Sequence, residues 1–149
     1  MFEWPLRVYM EDTDAGGIVY YANYLKFFER ARSEWLRTLG FNQQMLMEEG
    51  VRFVVRDLSI RYRQPAMLDE EIIATVEVTA LTKAGMTLNQ RVIRRSDSDN
   101  NTNEINQETK QEVLAEAEVR VACIDETGRP MAIPRHVAEH IQPVSQEQS

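Results

Sequence analysis

Three stretches of the chain alternate apolar and polar residues with a period of two, and only one other long segment is apolar enough to cover them. In EIIATVEVTA, residues 71–80, Ile72, Ala74, Val76, Val78 and Ala80 share one phase and Thr75, Glu77 and Thr79 the other. MTLNQRVIRR, residues 86–95, continues with Met86, Leu88 and Val92 in phase. EVLAEAEVRVACI, residues 112–124, sets Val113, Ala115, Ala117, Val119, Val121 and Cys123 against Glu116, Glu118 and Arg120. Strands with one apolar and one polar face pair antiparallel and bury a single side of their sheet. VRFVVRDLSIRYR, residues 51–63, reads as a further strand whose alternation slips at Arg56–Asp57, which predicts a β-bulge. Residues 4–11 read as a first strand, with Pro5 confined to its start or to an edge.

The cover comes from residues 23–39. Tyr24, Phe27, Phe28, Ala31, Trp35 and Leu39 recur at three- and four-residue steps, and Leu25 and Leu36 widen the stripe. This predicts one helix buried on most of its circumference. Arg30 and Glu34 are spaced to pair at i,i+4, Gly40 supplies a stop, and a short second helix follows over 42–49. One strand, one long apolar helix and four further strands make an α+β domain spanning 1–149, one sheet closed on one helix. Such a sheet keeps open edges, and pairing the first strands of two subunits would extend it, so a homodimer is expected. The polar run SDSDNNTNEINQETKQ, residues 96–111, reads as an exposed hairpin loop or a disordered insertion, and 144–149 as a frayed tail.

Charge and composition exclude several classes of function. The net charge of −7 and pI of about 4.9 argue against nucleic acid as a partner. The clusters Arg30, Arg32, Arg37 and Arg91, Arg94, Arg95 read as solvated faces of a helix and a strand. The single cysteine, Cys123, lies in the apolar phase of a strand and reads as core, not as a catalytic thiol. His136 and His140 are four apart, a spacing that metal sites use, but no third ligand stands nearby. A surface helix is the better reading, and no metal or cofactor is expected. MFEWPLRVY lacks the pattern of a signal peptide, and no apolar run is long enough to span a membrane, so a cytoplasmic protein is expected.

The chemistry concentrates in EDTDAGGIVYYANYLKFFERAR, residues 11–32, where a carboxylate precedes a glycine turn that delivers the chain to a helix. Helix-start N–H groups lack intrahelical partners and carry the positive end of the helix dipole, so they can receive an oxygen gaining negative charge. Asp14 is placed either as a turn aspartate bonding to nearby amides or as a carboxylate facing such an oxygen. Asp12 and Glu29 read as structural, and Gly16 and Gly17 as residues needed for unusual backbone angles.

With FVVRDLSIRYRQPAMLDEEI, this run resembles the hotdog-fold acyl-CoA thioesterases, in the branch of 4-hydroxybenzoyl-CoA thioesterase and the Tol–Pal-associated thioesterases. The likeness covers about Leu6 to Ile124 outside 96–111. It implies a hotdog fold, a five-stranded antiparallel sheet wrapped around a long central helix, in a homodimer or a tetramer built as a dimer of dimers, with sites at the subunit interface. It implies Asp14 as the catalytic carboxylate and the backbone N–H of Tyr21 as oxyanion donor. Several Tol–Pal-associated members carry histidine where this chain has Tyr21, whereas the 4-hydroxybenzoyl branch has tyrosine; Asp14 is therefore the principal catalytic side chain. The substrate would be acyl-CoA, or the same acyl groups on acyl carrier protein. Gly17, Ile18, Tyr20 and Tyr24 would lie along the acyl group, and Lys83 in the TKAG turn would meet the nucleotide. Two rivals stand beside this reading. One is a hotdog dehydratase, which would want a histidine near the helix start. The other is a non-catalytic acyl-thioester-binding or scaffold protein, linked to phospholipid metabolism or to the Tol–Pal envelope system.

Overall fold

The alternating runs pair as their period demands. In the computed structural model, which describes residues 1–96 and 110–144, five antiparallel strands form one sheet. They are β1 (Phe2–Arg7), β2 (Arg52–Tyr62), β3 (Glu71–Thr82), β4 (Gly85–Ser96) and β5 (Lys110–Ile124), in the order β1-β3-β4-β5-β2. The first strand is earlier than its sequence pattern predicted. Pairing stops at Arg7↔Glu71, and Met10–Asp12 turn as a 3-10 helix. Pro5 sits on an edge strand, where a missing N–H is tolerated. The slip in β2 is a register shift between Val55 and Asp57, as the sequence predicted. A second shift between Val92 and Ile93 was hidden. It lets Ile93 and Leu114 be buried out of phase with their strands. Ser96 pairs with Lys110, so the polar stretch assigned to 96–111 begins and ends inside paired strand, and its residues 97–109 lie outside the described residues. The tail assigned to 144–149 is likewise described only at Val144, whose N–H donates to Val78 O at 2.8 Å.

α1 (Asn23–Thr38) lies over β1, β3 and β4. It buries Tyr24, Phe27, Phe28, Ala31 and Leu36 against the inward side chains Ile72, Ala74, Val76, Leu88 and Val92. Burying a side chain such as Phe27 or Phe28 contributes about 1.5–3 kcal/mol. The burial is narrower than the sequence stripe predicted: Leu25 is 41% exposed, and Glu29 and Arg30 are exposed too. The helix stops short of β2, so Val55, Leu58 and Tyr62 remain exposed on its inward face along that edge. Glu34 pairs with Arg37 and not with Arg30. α2 (Gln43–Glu48) is capped by Asn42, whose Oδ1 accepts the Met45 N–H at 2.9 Å. α3 (Arg135–Ala138) is a single turn that holds His136 but ends before His140. Both imidazoles pack edge-on against Phe41, and His136 Nε2 lies 2.9 Å from Glu49 Oε1. Cys123 is fully buried, and that burial pushes its thiol pKa up.

The strand arginines do not make a basic stripe. Arg94 bridges Glu70 and Glu112, Arg91 and Arg63 share Glu116, and Arg95 pairs with Glu3. At the β3–β4 turn, a Cβ added to Gly85 would stand 2.4 Å from the backbone carbonyl oxygen of Val121. That carbonyl belongs to a neighbouring strand and has little room to retreat. Gly85→Ala is therefore expected to cost about 3 kcal/mol or more, a fall in melting temperature of roughly 6–12 °C by calorimetry. An unchanged melting point would mean the β4–β5 ladder yields more easily than its register implies.

Candidate active site

The turn that carries Asp14 is a small hairpin. Tyr20 N–H donates to Asp12 O, Asp14 N–H to Ile18 O and Gly17 N–H to Asp14 O, at 3.0, 2.9 and 3.1 Å. Thr13 and Val19 form a bridge, and Ile18 bridges to Met67. Gly17 has φ +79°, a left-handed angle that glycine adopts without a steric penalty. Asp12 makes the bonds of a structural residue: its carboxylate accepts the Tyr9 N–H, and its carbonyl accepts from the Asn23 side-chain amide at 2.8 Å. The turn is thereby tied to the first residue of α1.

Asp14 is exposed, and its Oδ1 accepts the Gly16 N–H at 2.8 Å. That is the bond expected of an ordinary turn aspartate. It also orients the carboxylate, and Oδ2 meets no donor among the described residues. Nine residues on in the chain, α1 begins with no side-chain cap. The N–H groups of Asn23, Tyr24 and Leu25 turn back to Tyr20, Tyr21 and Ala22 carbonyls. Those of Tyr21 and Ala22 meet no acceptor among the described residues. An unpartnered carboxylate oxygen in the hairpin and unpartnered amides where it runs into α1 thus lie in one short connecting segment. This is the pairing that addition of a nucleophile to a carbonyl requires.

Side chains around this turn form an open hollow lined by Ile18, Val19, Tyr21, Tyr24, Tyr62 and Arg63, with Gln64 and Pro65 at its rim. Of the residues assigned to substrate, Ile18 lines the hollow. Tyr20 does not; it is exposed and packs its ring 4.9 Å from that of Tyr21. Tyr24 faces the hollow but is a core residue, only 3% exposed, with its hydroxyl accepting the Ala66 N–H at 3.1 Å. Lys83 is not part of the protomer's site. It sits at the far end of β3, roughly 35 Å from the strand's start, and its carbonyl accepts the Ile133 N–H. The cation that lines the hollow is Arg63, paired with Glu116 at 3.2 Å.

Tyr62 was not singled out from the sequence, where it is one aromatic at the end of a strand. In the fold its hydroxyl donates to Tyr21 O at 3.0 Å, and its ring meets Tyr21 and Tyr24 edge-on. Partial burial raises its pKa, so the hydroxyl stays protonated and able to donate at neutral pH. It anchors the backbone segment that includes the Tyr21 amide. Both histidines lie past the C-terminal end of α1, about 24 Å of helix away from its start. No cluster of three or more His, Cys, Asp or Glu among the described residues is placed to hold a metal.

A five-stranded antiparallel sheet closed on one long helix, with a carboxylate in the turn that enters that helix, defines a hotdog protein of the thioesterase class. The family model described as the thioesterase-like superfamily matches residues 8–141, and the chain belongs to that superfamily. It is 41% identical over 138 residues to the acyl-CoA thioester hydrolase YbgC of Escherichia coli, covering 92% of each chain. It is 44% identical over 138 residues to the acyl-CoA thioesterase YbgC of Haemophilus influenzae, covering 91% of this chain and 90% of that one. The crystal structure of a probable thioesterase from Bartonella henselae superimposes with a TM-score of 0.73 at 34% identity, over 89% of this chain and 98% of that one.

Proposed function

We propose that this protein hydrolyses acyl-CoA thioesters, releasing a carboxylic acid and free CoA. The observation that carries the reading is the segment leading into α1, where among the described residues Asp14 keeps one oxygen unpartnered and the Tyr21 amide lacks an acceptor. Thioester hydrolysis develops negative charge on the carbonyl oxygen, and the Tyr21 N–H is the donor that receives it. Asp14 serves in one of two ways. As nucleophile, its Oδ2 bonds to the carbonyl carbon, the C–S bond breaks with the electron pair leaving on sulfur, and water then hydrolyses the anhydride. As general base, it takes a proton from the attacking water. A thiolate leaves readily, so neither route needs a strong general acid. Heavy-oxygen label from water entering the Asp14 carboxylate in a single turnover identifies the nucleophilic route with water attacking the Asp14 carbonyl. If no label enters, trapping of an acylated Asp14 by hydroxylamine separates attack at the acyl carbon of the anhydride from general-base catalysis.

The proposed assembly is a homodimer, alone or paired into a tetramer, and the edge that joins it is β2. β1 offers Pro5, which has no N–H, whereas β2 offers a row of exposed apolar side chains, Val55, Leu58 and Tyr62. This replaces the first-strand pairing expected from the sequence. Identical strands paired about a two-fold axis run end to end, so the Tyr62 end of one chain meets the Phe53 end of the other. Each helix-start site then faces its partner's α1. Lys83 can reach a site only from another protomer, and Arg63 is the CoA-facing cation of the same chain. The cytoplasm, where CoA esters are made, is the proposed compartment.

Thiol release from a panel of short, long and aromatic acyl-CoAs tests the activity directly. Tight binding of the same thioesters without release would transfer the protein to the acyl-thioester-binding reading. The dehydratase reading lacks its histidine at this helix start. Tyr62→Phe should lower kcat by up to ~10-fold with KM nearly unchanged, because one hydrogen bond of about 0.5–1.5 kcal/mol holds the Tyr21 backbone. A change in KM alone would make Tyr62 a substrate contact instead.

A further inference from the structure

A second cavity, larger than the hollow at the helix start, lies elsewhere in the protomer. It is a space of about 420 Å³ where α1 stops short of β2. Its walls are Trp35, Leu36, Phe53, Met86, Leu88 and Val121, and its polar groups include Arg32 and Glu29. Arg32 is an unusual lining for such a space. Its guanidinium donates through Nη1 to Gln90 Oε1 at 2.9 Å, and no carboxylate lies within 4.0 Å of it among the described residues. Burial beside apolar walls lowers its pKa, an effect that Glu29 partly offsets from a distance. Glu29 itself accepts from Ser33 Oγ at 3.1 Å.

Gln90 explains why the arginine stays in place. It is fully buried in the apolar phase of β4, and its Nε2 donates to Phe28 O on the helix and Thr75 O on β3. Both amide hydrogens are used, so Oε1 is left facing Arg32 in one orientation. Arg32 carries five N–H donors, of which Gln90 takes one. The remaining donors belong to a desolvated cation beside an apolar cavity. An occupant that is apolar along its length and ends in an acceptor would complete both halves of this lining.

We infer that this cavity takes the far end of the acyl group and that Arg32 selects acyl chains ending in a carboxylate. The inference rests on the proposed hydrolysis and on pairing through β2. Arg32 lies about 13 Å along α1 from its own helix start, whereas β2 pairing brings the partner's helix start to the Phe53 end of the cavity. Gln90 is a positioning residue that acts through Arg32. Glu29 opposes a second carboxylate and sets a limit on the preference.

The test compares succinyl-, adipoyl- and suberoyl-CoA with butyryl-, hexanoyl- and octanoyl-CoA in thiol release. Wild type is expected to favour at least one carboxylate-tipped ester over its length-matched partner by roughly ten- to hundred-fold in kcat/KM. Arg32→Met should abolish that preference while leaving the plain ester within a few-fold, Gln90→Leu should weaken it, and Glu29→Gln should increase it. Equal losses on both ester classes in Arg32→Met would make Arg32 merely structural and overturn the inference, as would a wild type that prefers the plain esters. Calorimetric binding of adipic acid monoamide against hexanamide separates the two readings. Arg32-dependent preference for the monoamide in a protein that hydrolyses none of the esters would uphold the cavity and remove the hydrolase. Turnover with no such preference in either assay would do the reverse.

Discussion

Asp14→Asn is expected to slow thiol release by ~10²–10⁴-fold while leaving the melting temperature and the oligomeric state unchanged. The amide keeps an oxygen that can accept the Gly16 N–H, so the turn retains its 2.8 Å bond and its shape. What disappears is the charge, and with it both the nucleophile and the proton acceptor. The loss corresponds to ~3–5 kcal/mol of transition-state stabilisation. Asparagine is also nearly isosteric, so acyl-CoA binding should persist, and the variant should bind without releasing thiol. Full activity in Asp14→Asn would mean that another group does the chemistry. The fold offers no imidazole at this helix start to replace it.

Breaking the β2 edge should have an effect of similar size by a different route. Val55→Arg combined with Leu58→Arg places two cations on a strand whose exposed apolar row has no cover in the protomer. Both side chains already reach solvent, at 39% and 37% exposure, so the isolated fold should tolerate the change. Sedimentation equilibrium is expected to show a monomer, and thiol release should fall by ~10²-fold or more, because in the proposed dimer the partner supplies part of the acyl wall. A monomer with full activity would show that each chain holds a whole site. A dimer that survives both substitutions would return attention to β1.

The two experiments probe features that differ in how visible they were before the chain folded. The Asp14 turn was legible because its signals are local. A carboxylate, two glycines and an aromatic run that becomes a helix all lie within one short segment. The bulge at Arg56 was legible for the same reason, as a break in a period of two. Tyr62 and Gln90 were not. Tyr62 matters because β2 brings its hydroxyl to a carbonyl 41 residues away in the chain, and Gln90 because it reaches Phe28 and Arg32 across the sheet–helix interface. No pattern within either strand encodes those meetings. The place of Lys83 relative to its own helix start was not legible either. Its turn looked suitable in isolation, but the length of β3 carries it to the opposite end of the sheet.

The residues alone determined that three amphipathic strands would need one buried helix, and that Asp14 would stand where the chain enters it. Periodicity and turn chemistry act over a few residues, and nothing elsewhere in the chain had to agree for them to hold. Tertiary structure decided which edge the helix leaves uncovered, where the large cavity lies and which cation faces it. Those outcomes depend on strand order and on α1 lying over β1, β3 and β4 while leaving β2 uncovered. They are set by contacts between residues far apart in sequence, where each segment's own pattern is compatible with more than one arrangement.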